Sequence, residues 1–188
     1  MGMHVHSLGE LPTGAERGYY VYILDYGWRE PIEEALRSNF QHMANLASRS
    51  DAVVLQGMVG CHFEDEVLSW HHINGQDPKD LLPAMLITTR HPNNFRMHFH
   101  DEPGAARDHL LLIPLRKCCE NASDVVKLIE KVFRDISEKK ALADFEIAEE
   151  MKAGERGAIT DALILQPNFS GVGIDLKRLV AFFRRRTG

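Results

Sequence analysis

The chain has 188 residues, 44% of them hydrophobic and 26% charged, with a formal charge of -5 at pH 7. That length predicts one domain with a substantial core, and no stretch approaches the roughly 20 apolar residues of a membrane helix. The acidic balance provides no broad basic face, so neither nucleic acid nor a membrane is expected as a partner.

The opening "MGMHVHSLGELPTGAERG" has no basic segment followed by an apolar one, which argues against a secretory signal. It reads as a flexible arm over residues 1–18, ahead of one domain over 19–188. "YYVYILDYG", from Tyr19 to Gly27, is β-branched and aromatic and predicts a buried strand. "WREPIEEALRSNFQHMANLASRS" predicts one amphipathic helix. Pro31 stands in its first turn with Glu33 and Glu34 behind it, and Ile32, Leu36, Phe40, Met43 and Ala47 recur at spacings of three and four. "DAVVLQG" is the second strand, reached by a connection long enough for a right-handed parallel crossover.

"HFEDEVLSWHHI" then carries Phe63, Val67 and Trp70 at helical spacing, ahead of the turn "NGQDP". Strands are expected in "LLPAMLITTRHP" and "DHLLLIPLRK". The polar "NNFRMHFHDEPGAAR" between them, with Pro92 and Pro103 near its ends, reads as a long surface loop. Ser123 is placed to cap "SDVVKLIEKVFRDISEKKAL", whose Val125, Val126, Ile129, Val132, Phe133 and Ile136 form a wide apolar stripe. In "DFEIAEEM", Phe145, Ile147 and Met151 alternate with acids, so this segment and "AITDALILQP" are expected to pair as an antiparallel edge ribbon. Leu176, Leu179, Val180 and Phe183 define a last helix in "NFSGVGIDLKRLVAFFRRRTG". The sum is an α/β layered sandwich with a mostly parallel sheet and helices on both faces.

Open α/β sheets place ligands beyond the carboxyl ends of their strands. Asp25, Trp28, Arg29 and Glu30 follow the first strand, and "QGMVGCHFEDE" follows the second. The turn from Gly57 to Gly60 has the form of an anion cradle, in which glycines let backbone N–H groups approach a phosphate. Glu64, Asp65 and Glu66 would oppose an anion there, and a tight turn before an acidic helix start accounts for the same residues. Gly171 and Gly173 repeat the pattern with Lys177 and Arg178 one turn on. Arg184, Arg185 and Arg186 sit where cations suit a helix end.

Ten histidines are unusual for this length, with close pairs at His4 and His6, His71 and His72, and His98 and His100. His98, His100 and Asp101 would hold a divalent metal if a third ligand came near, and His62 and Glu66 share a helix face. Neither group is a recognised metal signature, so surface histidines are the preferred reading and no metal or cofactor is assigned. Three cysteines, Cys61, Cys118 and Cys119, form no disulfide framework and fit a reducing cytoplasm. Cys118 and Cys119 read as a buried approach to a helix rather than as nucleophiles.

The stretch "SDAVVLQGMVGCHFEDEVLSW" resembles the strand and following helix of TIR domains and nucleoside deoxyribosyltransferases, over that strand and helix alone. The resemblance implies a helix glutamate working on a glycosidic bond. Glu66 occupies the matching position, with Trp70 nearby as a stacking surface. The expected function is binding of a small anionic ligand, in class a nucleotide, through Gly57, Gly60, His62, Trp70, Gly171 and Gly173. Glu66 and Asp25 are the catalytic candidates of a glycosidic-bond hydrolase or transferase. The rival expectation is a non-catalytic interaction or regulatory subunit, a homo-oligomer or partner-bound chain that uses its last helix and the "NNFRMHFHDEPG" loop. A metal-dependent hydrolase stands third.

Overall fold

The computed structural model describes residues 1–12, 14, 16–27, 30–71, 73–74, 81–97, 110–153, 163–165 and 174–175. In chain order the elements are β1 (Gly2–Val5), β2 (Tyr19–Leu24), α1 (Pro31–Ser38), α2 (Phe40–Arg49), β3 (Ala52–Gly57), α3 (Phe63–Trp70) and β4 (Ile73–Asn74). There follow β5 (Ala84–Thr88), α4 (Pro92–Met97), β6 (Leu110–Pro114), α5 (Leu115–Cys118), α6 (Ala122–Ser137), α7 (Glu146–Ala153), β7 (Leu163–Leu165) and β8 (Ile174–Asp175). Short 3-10 turns occupy Leu8–Glu10 and Leu142–Asp144.

Six strands make one sheet in the order β1-β3-β2-β5-β6-β7. β3 pairs in parallel with β1 (Val5 opposite Gly57) and with β2 (Tyr22 opposite Leu55). The β2–β5, β5–β6 and β6–β7 pairings are antiparallel. The α/β class therefore holds, but the sheet is mixed, not mostly parallel. Burial explains the difference. Every residue of β2, β5 and β6 is buried, so antiparallel strands here carry the unbroken apolar runs that usually mark parallel ones. Strand direction is set by the connections, and composition does not record it. β4 and β8 form a separate two-stranded parallel pair.

Side chains alternate between two apolar clusters, as strand geometry requires. Tyr19, Val21, Ile23 and Val54 join Leu36, Met43, Ile129, Phe133 and Ile147, from α1, α2, α6 and α7. Tyr20, Tyr22, Leu24 and Leu55 join Phe63 and Val67 of α3, together with Leu8 and Leu82. Five local expectations change. Residues 2 to 5, read as part of a loose arm, form the edge strand β1, where the Val54 N–H donates to Met1 O at 2.8 Å. The single helix over 31–49 is two helices broken at Asn39 (φ -88°, ψ 5°), whose side-chain amide donates to Ala35 O at 2.8 Å. Asn side chains compete for backbone partners in this way. The cap of α6 is Asn121, which accepts from the N–H groups of Ser123 and Asp124 at 2.9 and 3.2 Å.

The fourth change concerns the ribbon. Residues 146 to 153 are helical, because Ile147, Ala148 and Met151 bury one helical face and Asp135 caps the Glu146 N–H at 2.7 Å. β7 pairs with β6 instead. The front of the long loop is the short helix α4. His98, His100, Asp101 and Pro103 lie outside the described residues, as do Trp28, Arg29, His72, Gly171, Gly173, Lys177, Arg178 and the last predicted helix with its arginine run. Among the described residues no helix is long and apolar enough to cross a membrane.

A carboxylate-lined hollow at the parallel strand ends

The parallel strands β1, β3 and β2 end side by side, and beyond them opens a hollow of about 1050 Å³. Its wall is made by His4 of β1, Asp25 to Gly27 after β2, Gln56 and the turn Gly57 to His62 after β3, Glu64 of α3, and Arg37 and Phe40 from α1 and α2. Placement at the carboxyl ends of parallel strands follows the general rule for such sheets. It depends on all three strands running the same way.

Asp25 sits where β2 leaves the sheet. Arg37 donates to its Oδ1 at 2.6 Å, and Gln56 donates from Nε2 to Oδ2 at 3.3 Å. Burial pushes the Asp25 carboxyl above its usual range, and the Arg37 guanidinium opposes that rise. Glu33, itself 2% exposed, accepts the Gly27 N–H and lies 3.7 Å from Arg37, which keeps the guanidinium on this side of α1.

Glu64 is 8% exposed in the first turn of α3. Burial pushes its carboxyl up from the ordinary 4.5 to about 7; hydrogen bonds from the Glu64 and Asp25 backbone work against the rise, and the Asp25 and Asp65 charges add to it. A carboxyl near neutrality and a second one beside a cation, on the wall of one cavity, form the kind of pair whose environments separate proton donor from anion.

The predicted site residues divide. Asp25, Gly57, Gly60 and His62 are brought to the hollow. Glu66 is not among its lining residues: its carboxylate accepts from Ser7 Oγ at 2.7 Å and from the Leu8 N–H at 3.0 Å, holding the 3-10 turn after β1. Trp70, half-buried, packs against the core cluster around Phe63. Gly57 has a packing reason of its own, since a Cβ there would lie 2.8 Å from Phe63 Cγ. The Met58 N–H donates to Val5 O and the Cys61 N–H to Met58 O, so these turn amides serve the fold. Gly60 takes φ +88°, which glycine adopts freely. Among the described residues no three His, Cys, Asp or Glu side chains converge as a metal site.

Sequence reasoning named Glu64 only as an acid opposing an anion and His4 only within a histidine pair, and it passed over Arg37. Glu64 had a signal: it precedes the buried Val67 and Leu68 by three and four residues and so shares their inward face. Arg37 and His4 had none, because they reach the hollow from elements distant in the chain. No family model, curated protein or solved structure matches this chain.

Proposed function

We propose that the hollow binds a small hydroxylated ligand, in class a nucleoside, nucleotide or sugar, and that Glu64 and Asp25 act on its glycosidic bond as those of a hydrolase or transferase. The observation that carries the reading is a pair of carboxyls, the buried Glu64 and the half-buried Asp25, on the wall of the cavity at the parallel strand ends. Glu64, titrating at about 7, is the general acid and base. Asp25, with Arg37 at 2.6 Å, supports the positive charge that develops at the anomeric carbon. An anionic group on the ligand meets Arg37, whose side chain is 41% exposed at the rim, since the acids of α3 disfavour a phosphate at the glycine turn. Glu64 replaces Glu66 in this role because the Glu66 carboxylate is spent on Ser7 and Leu8. We take the helices to cover both faces of the sheet as a layered sandwich and the protein to work in the cytoplasm.

A thermal-shift panel of nucleosides, nucleotides and sugar phosphates tests binding, because a ligand that prefers the native state raises the melting temperature by mass action. Release of free base or sugar then tests chemistry, with Glu64→Gln lowering the rate by about a hundredfold or more. An unshifted melting temperature across the panel, or full activity in the Gln variant, removes this reading. Val59, fully exposed, and Met58, 41% exposed, at the rim favour a second one, an interaction subunit that presents this turn to a protein partner. A flat ligand panel together with a homodimer in sedimentation would support it.

A further inference from the structure

Beside the carboxyls, the same hollow presents a thiol in contact with an imidazole. Cys61, half-buried, lines the cavity in the turn between β3 and α3, and its Sγ lies 3.4 Å from Nδ1 of the exposed His6, just past the end of β1. Two residues 55 apart in the chain are joined because β1 and β3 are parallel neighbours whose ends coincide. Both sides of the contact are braced. The His6 N–H donates to Glu10 Oε2 at 3.1 Å, and Glu66 holds Ser7 and Leu8, the next two residues. Cys61 is fixed through its N–H to Met58 O at 3.1 Å.

We propose that Cys61 and His6 form a nucleophilic pair that exchanges with small-molecule thiol disulfides, so that Cys61 is a site of S-thiolation on the wall of the hollow. In the exchange Cys61 Sγ attacks one sulfur of the disulfide while its proton passes to His6 Nδ1. The new S–S bond forms, the reagent's own S–S bond breaks, and the departing thiolate takes the proton from the imidazolium. Cys61 is oxidised to the disulfide level and half of the reagent is reduced to a free thiol. The product persists as a mixed disulfide, because Cys118 and Cys119, 7% and 4% exposed, are packed in the core with Val125 and Ile129 and cannot resolve it. The cavity of about 1050 Å³ beside Cys61 has room for the added group, and Asp25, Glu64, Arg37 and Gln56 match the ammonium, carboxylate and amide groups of a peptide thiol. Glu64, Asp65 and Glu66 at the start of α3 oppose a developing thiolate, which is why the contact with His6 is needed.

Glutathione disulfide is the probe, added to the full chain and followed by intact mass and peptide mapping. One glutathionyl group is expected, on Cys61, at a rate about tenfold or more above that of His6→Ala. Imidazole in the buffer should restore part of the rate in His6→Ala, a recovery that a merely structural role for His6 would not show. His6→Gln, with a side chain of similar reach but no basic nitrogen, should be as slow as the Ala variant, and circular dichroism checks that both remain folded. Cys61→Ser should take up nothing. Modification at Cys118 or Cys119, no adduct, equal rates with and without the His6 ring, or no response to imidazole would each overturn the proposal. The readout is indifferent to whether a nucleoside or sugar binds, so it fails or succeeds separately from the glycosidic reading.

Discussion

Asp135 and Glu64 are both buried carboxylic acids, and the contrast between them separates the parallel part of the molecule from the rest. Asp135, fully buried on α6, is matched atom for atom: Lys140 Nζ lies 2.7 Å from Oδ1 and the Glu146 N–H 2.7 Å from Oδ2. It joins α6 to α7 and has no role left to offer a ligand. Glu64, on the wall of the hollow, lies near the Asp25 charge, and burial drives its carboxyl to about 7 against the hydrogen bonds from the Glu64 and Asp25 backbone. A buried acid with its own cation and amide is a structural tie, whereas one left to desolvation and a like charge is poised for protons.

Breaking the satisfied acid should do the most damage. Asp135→Ala orphans the Glu146 N–H and removes one of the two carboxylates that pair with Lys140, so unfolding in denaturant should show a loss of about 3 kcal/mol. Should that variant be as stable as the parent, the tie between α6 and α7 would be immaterial and the contrast would collapse.

Next comes the floor of the hollow. Gly57→Ala pushes a methyl group against Phe63, which is fully buried, and should cost about 2 kcal/mol by forcing α3 away from β3. If the cost is near zero, Gly57 is there for a ligand after all and the anion-cradle reading returns.

Glu64 itself predicts a slope in pH. Its folded carboxyl titrates at about 7 and its unfolded one near 4.5, so between those values the native state holds more protons than the unfolded state. Stability from this group is full below pH 4.5, falls as pH rises through the window, and stays low above 7. Glu64→Gln cannot ionise, so its stability relative to the parent should be greater at pH 8 than at pH 5. An unchanged difference would place Glu64 in solvent. The smallest effect belongs to the exposed pair His42–Glu130, at 2.7 Å: Glu130→Ala should shift stability by less than about 0.5 kcal/mol.

How far the sequence could be read depended on the range of the interactions. The apolar periods of α6 and α3 and the runs of β2, β3, β5 and β6 placed those elements, because a buried face leaves its spacing in the local residues. The break at Asn39 and the helix over residues 146 to 153 were harder. In each a side chain satisfies the backbone, Asn39 on Ala35 and Asp135 on Glu146, and for Asp135 that partner is eleven residues away. That Asp25 and His62 line the hollow was legible from strand-end placement alone. The exchange of Glu66 for Glu64 was not, since it turns on Ser7 and Leu8 claiming one carboxylate.

The sequence by itself determined the α/β class, the strands and helices with strong periodicity, and the glycine-bearing turn that follows β3. Only the tertiary structure decided strand direction, the seat of β1 at the sheet edge, and which side chains meet: Arg37 on Asp25, Glu66 on Ser7, His6 on Cys61. Hydrophobic burial is written locally, one face at a time, but the pairing of polar groups is a matter of distance in space, and segments 12 to 59 residues apart acquire that distance only when the sheet assembles.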